Sequence, residues 1–137
     1  MADKDKSTID NLLELPTWTP ERRRVTIPRL GIVLLLEELS YDQLCKIRRE
    51  REPNLHLILA AIKNHPEIRQ EIWYHDKMGA PTPVEALGRL LRDGEIARLV
   101  RTIDDLNGYG PGSVTVLSDQ ELEDRAISKA LDELEKN

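Results

Sequence analysis

From Ser40 onward, a hydroxyl residue is repeatedly followed three positions later by Gln or Glu: Ser40 and Gln43 in "SYDQ", Thr82 and Glu85 in "TPVE", Ser118 and Glu121 in "SDQE". In each pair the hydroxyl can accept the free N–H of the third residue, whose side chain can return a bond to the capping residue's own N–H. Pro83 adds a proline at a first helical position, where its missing N–H costs nothing. A chain that signals helix starts this often is predicted to be mainly α. Asn54 is a further cap, opening "NLHLILAAIKN", which Pro66 would end. Asp93 is placed to cap the next helix and Gly108 to close it in a left-handed conformation. Between them Ile96, Leu99, Val100, Ile103 and Leu106 recur three and four apart, on one face.

The flanks differ. "STIDNLLEL" suits a short helix capped by Ser7 and stopped before Pro16. "RRVTIP" and "GIVLLLEEL", separated by Pro28-Arg29-Leu30-Gly31, read as a β-hairpin or a pair of extended arms. The second run also suits a buried helix start, and periodicity does not decide between them. After "GYGPGSVTVLS", Leu122, Ala126, Ile127, Ala130, Leu131 and Leu134 form an apolar stripe on an acidic tail. The expected architecture is a small helical domain with an N-terminal hairpin or arm and a C-terminal amphipathic helix. Residues 1–19 form a polar segment with a short helix, 20–112 the core, and 113–137 the acidic helix.

Aromatics make up 4% of the chain and Phe is absent, so the core must be built of Leu, Ile, Val and Ala. The net charge of -5 argues against a general nucleic-acid binder. Basic residues nevertheless cluster at Arg22–Arg29 and Lys46–Arg51. A small regulatory or nucleic-acid-binding role for these segments, with Trp18 stacking on a base, is the alternative reading. The single Cys45 forms no internal disulfide and fits a reducing compartment. "MADKDKSTID" does not look like a signal peptide, and "GIVLLL" is too short to span a bilayer. The expected location is cytoplasmic, with no membrane partner.

Catalytic chemistry finds little support. His56, His65 and His75 lie nine and ten residues apart, not at spacings that place two ligands on one helical turn. Cys45 is flanked by Leu44 and Ile47 on an expected helix, where a lone thiol behaves as a small hydrophobe. The pairs Glu37-Glu38 and Asp104-Asp105 are adjacent, and neighbours on a helix do not face each other. "NGYGPG" follows a helix instead of a strand and lacks the Lys-Ser/Thr of a phosphate loop. No catalytic residue, metal site or cofactor is expected. What remains is interaction chemistry, in which a helical body offers a groove to a partner helix.

The run "GAPTPVEALGRLLRDGEIARLVRTIDDLNGYG" resembles the tail assembly chaperones of long-tailed bacteriophages, in particular the XkdN-like group. The resemblance is carried by Thr82, Pro83, Glu85, Leu87, Leu90, Leu91, Gly94, Glu95, Ile96, Leu99, Ile103, Asn107, Gly108 and Tyr109, in that order. Upstream, "VTIPRLG" and "LEELSYDQLCKIR" are similar to the family's β-like segment and the helix after it. The likeness covers about residues 20–110. It implies a non-enzymatic protein of the host bacterial cytoplasm. Such proteins bind the tape measure protein, keep it soluble while the tail tube polymerises, and are absent from the mature virion. It also implies that a frameshifted longer form can recruit the tail tube protein. The family supplies no defined binding residues. The expected contacts are Leu122, Ile127, Leu131 and Leu134 of the tail stripe, with Leu99 and Ile103 of the scaffold helix. The tail stripe can pack on itself, on the body or on a partner, so self-association stays open.

Overall fold

A computed structural model describes residues 11–15, 17–120 and 123–124. The chain divides after Asn107 into two units; the sequence placed that division at Gly112.

Residues 11–14 of the first unit have helical backbone, within the short helix expected before Pro16, and an antiparallel hairpin follows: β1 (Arg22–Ile27) and β2 (Ile32–Glu37), with Arg22 opposite Glu37 and Ile27 opposite Ile32. The Ile32 run is therefore a strand and not a helix start. Four residues turn the chain: Leu30 and Gly31 both donate to the Ile27 carbonyl at 3.0 Å, and Gly31 takes φ +65°. That left-handed position suits glycine, which has no Cβ to clash. Side chains alternate across the strands. Ile27, Leu34 and Leu36 go inward, while Arg22, Arg24 and Val33 stay exposed.

Helices follow: α1 (Tyr41–Arg48), α2 (Pro53–Ala61), a 3-10 turn at Pro66–Arg69, a π-helix at Ile72–Lys77, α3 (Pro83–Leu90) and α4 (Asp93–Leu106). Ser40 and Gln43 form the expected reciprocal cap of α1. Thr82 accepts the Glu85 N–H at 3.2 Å, so the forward half of its box is present.

Three details depart from the sequence reading. Asn54 lies inside α2; the helix opens at Pro53 from Glu52, which is held at φ 55°, ψ 56°. Asp93 is the first residue of α4 and not its cap. The cap is Arg92, whose N–H donates to Glu95 Oε1 at 2.7 Å, because the returning glutamate chooses the residue three before it. Finally, α2 ends at Ala61, well before Pro66, and the chain turns extended at Ile62. The released segment lies along β2: Leu36 bridges to Ile62, and the Lys63 N–H donates to the Leu35 carbonyl at 2.9 Å. It covers an edge that β2 would otherwise leave unpaired.

The core is almost wholly aliphatic. Leu34, Leu36 and Leu39 meet Leu57, Ile58 and Ala61 of α2, Leu87 at the middle of α3, and Leu99, Ile103 and Leu106 of α4. The α4 stripe read from the sequence is thus the face that packs against α2 and the hairpin. Gly88 lets α3 approach α2 closely, since a Cβ there would meet Leu55 Cδ1 at 3.1 Å. Gly108 takes φ +90° at the end of α4, as the sequence led one to expect.

In the second unit the described residues include a turn, in which the Ser113 N–H donates to the Gly110 carbonyl at 3.2 Å, and the exposed Val114 and Val116. Asp119, Gln120, Glu123 and Asp124 have helical backbone. No helix among the described residues is long and apolar enough to cross a membrane.

Candidate functional site

The clearest candidate site is an apolar groove of about 290 Å³ at the turn end of the hairpin. Leu30, Ile32 and Leu34 form one wall, and Ile68, Trp73 and Leu90 form the other. His65 and Glu67 stand at its rim.

Each wall is fixed by polar contacts behind it. Arg29, beside Leu30, donates from Nη2 to the Leu90 carbonyl at 2.7 Å. Its guanidinium also holds both carboxylate oxygens of Glu95, at 2.7 and 3.1 Å. The hairpin turn is therefore pinned to the end of α3 and the start of α4. Glu95 gains from this pairing and from the Arg92 N–H, which together hold its carboxyl down to about 2.

On the opposite side, Asn64 clamps the strand: its Oδ1 accepts the Leu35 N–H and its Nδ2 donates to the Val33 carbonyl, both at 2.9 Å. His65 Nε2 lies 2.8 Å from the same carbonyl and Nδ1 lies 2.8 Å from Glu67 Oε1. Both ring nitrogens face acceptors, which only an imidazolium satisfies fully. The Val33 carbonyl and then the Glu67 carboxylate raise the His65 pKa.

Trp73 enters the groove from the π-helix, whose wider turn shows in the bond from the Met78 N–H to the Trp73 carbonyl at 3.0 Å. Arg89 of α3 closes the end of that helix by donating to the Gly79 carbonyl at 2.6 Å.

A second, larger cleft of about 570 Å³ lies between the start of α2 and the start of α3. Arg51 lines it together with the carboxylates of Glu52 and Glu85, so it carries charge of both signs. Among the described residues no three metal-ligating side chains gather into one site. Cys45 is half-buried on α1. Glu37 ends a strand, contrary to the helical placement assumed for the Glu37-Glu38 pair, and forms an ion pair with Arg22 at 2.8 Å. Burial, then repulsion from Asp105, raises the Asp104 carboxyl, but neither residue lines the groove or the larger cleft.

The structure separates the residues expected to bind a partner. Leu99 and Ile103 are 5% and 0% exposed, so they are core and present no surface. Leu122, Ile127, Leu131 and Leu134 lie outside the described residues. Of the cations in the nucleic-acid alternative, Arg29 and Arg22 are engaged by Glu95 and Glu37, while Arg23 and Arg24 point to opposite faces of the hairpin. Trp18 is 57% exposed. Sequence reasoning missed the groove, Asn64, His65 and the Arg29–Glu95 pair.

No protein-family model matches the chain, and no curated protein matches it. Among solved structures, the crystal structure of the protein YqbN, a structural genomics target, is similar in fold. The similarity spans 69% of this chain and 90% of that one, at 16% identity and a TM-score of 0.52.

Proposed function

We propose that the chain is a tail assembly chaperone of a long-tailed phage or prophage: a binder of the tape measure protein and not an enzyme. The observation that carries this reading is the ordered run from Thr82 to Tyr109, which resembles that family. In the fold, Pro83–Leu90 and Asp93–Leu106 form consecutive helices whose apolar residues are drawn into the core. Most of the family-like residues therefore build the scaffold, and Leu90 is the one that also reaches the apolar groove.

The apolar groove supports the reading as the contact surface. A long tape measure helix without its tube exposes more apolar surface than a soluble monomer usually shows. A groove lined by Leu30, Ile68, Trp73 and Leu90 accepts one ridge of such a helix. Several copies along the helix would cover its stripe and add negative charge, since each chain carries -5. The working site is the host bacterial cytoplasm, and the chaperone leaves before the virion matures. A longer form adds contact with the tail tube protein.

The test is co-expression with the long helix-rich reading frame of the same genome. A recovered soluble complex is the expected result. A tape measure protein that still precipitates, with no complex recovered, ends this reading.

A further inference from the structure

We infer that the outward face of the hairpin, opposite the core and separate from the apolar groove, docks an acidic amphipathic helix of a partner protein. The inference does not depend on the chaperone reading. Strand register carries it. Leu35 stands opposite Arg24 on one side. On the other, the Leu36–Ile62 bridge and the bond from the Lys63 N–H to the Leu35 carbonyl place Lys63 beside it. Because Leu36 and Ile62 both face the core, Leu35 and Lys63 share the outward face. Val33, 50% exposed, continues the apolar strip toward the turn, and Arg22 with its partner Glu37 bounds the far end. The result is a short apolar strip with an exposed cation on each flank, on a chain whose net charge is -5.

The dimensions select the occupant. Strands lie about 4.8 Å apart, so Arg24 and Lys63 straddle the strip by about 10 Å, close to the width of one α-helix. Val33 and Leu35 are separated by about 7 Å along the strand, near the 5.4 Å rise of one helical turn. An apolar ridge spaced at i and i+3 or i+4, with carboxylates on both flanks, meets the strip and both cations together. A nucleic-acid backbone would meet the cations but leave the strip unused and bring phosphates toward the Glu37 carboxylate.

The experiment titrates the ¹⁵N-labelled full chain with three probes. They are a designed helical peptide with a leucine ridge flanked by glutamates, the same peptide with lysines for glutamates, and a single-stranded DNA oligonucleotide. We expect the acidic peptide to shift the amides of Arg24, Val33, Leu35 and Lys63. The Arg24→Glu, Lys63→Glu double variant should bind it about tenfold more weakly and bind the lysine peptide instead. If that variant loses its dispersed spectrum, Arg24→Gln with Lys63→Gln serves the same comparison. Three results overturn the inference: no shift at these residues, equal binding of both peptides, or DNA shifting the same residues at lower concentration.

Discussion

The Arg29 guanidinium, in the hairpin turn, meets the Glu95 carboxylate, in the first turn of α4, at two points, 2.7 and 3.1 Å. The same Glu95 oxygen accepts the Arg92 N–H at 2.7 Å. One side chain thus caps a helix and anchors a turn 66 residues away in sequence.

That double use makes Glu95 an acid-sensitive joint. Its carboxyl is held at about 2, below the usual 4.5. A depressed carboxylate contributes stability above its unfolded pKa and loses it as pH falls through the folded one. The melting temperature should therefore drop between pH 4.5 and 2, and Glu95→Gln should flatten that drop while lowering the value at pH 7. Thermal melts of both proteins across this range check it; parallel curves would refute it.

His65 gives the opposite sign. Its pKa is raised, so its contribution is complete below the unfolded value of about 6.5 and is lost as pH rises through the folded one. Deprotonation removes one of its two bonds, to Val33 or to Glu67. An NMR titration of the ring should report a pKa above about 6.5, and His65→Asn should remove the stability loss that sets in as pH rises above that value.

Asn64→Ala removes both bonds that clamp β2, to Leu35 and Val33. We expect a loss of about 1–2 kcal/mol in chemical denaturation. Hydrogen exchange at the Leu35 amide should accelerate more than at Leu34, whose N–H faces β1.

Glu52 holds a left-handed conformation, φ 55°, immediately before Pro53, where extended backbone is the norm. Glycine relieves that conformation but enlarges the unfolded ensemble. Glu52→Gly should stabilise the fold by about 0.5–1 kcal/mol net. A lower denaturation midpoint would contradict the argument.

Core and groove should separate by substitution. Ile103→Ala, at 0% exposure, should cost about 2–5 kcal/mol. Ile68→Asp, on the half-buried groove wall, should cost about 1 kcal/mol but abolish the proposed capture of a tape measure protein. If Ile68→Asp leaves capture intact, the groove is not the contact surface.

The legible parts of the fold were local. The Ser40 cap, the Pro83 start, the α4 stripe and the hairpin turn each depend on residues within a few positions of one another. Most of the unread parts depend on distance, and the Glu95 cap is the local exception. Arg92 is no capping hydroxyl, so the Glu95 cap carries only half of the usual signature. Asn64 and His65 continue a run that reads as helix, and only the open edge of β2 explains why they leave it. The groove draws side chains from the hairpin, the 3-10 turn, the π-helix and α3, so no single period marks it. Leu99 and Ile103 show the reverse limit: an amphipathic stripe announces burial without saying whether a partner or the chain's own core provides it.

The Leu39 N–H donates to Asn107 Oδ1 at 2.9 Å, across 68 residues. At about 5–20 residues per second, a ribosome that has finished Leu39 needs roughly 3–14 seconds more to supply that acceptor. Over the same interval Leu34 and Leu36 wait for α2 and α4 to cover them. The nascent hairpin must stay unpaired with its neighbours on a polysome through that delay. Three consecutive arginines, Arg22 to Arg24, on its outer strand repel an identical strand approaching edge to edge. Their protection begins during synthesis and continues afterwards, since β1 is still an edge of the two-stranded sheet in the folded molecule.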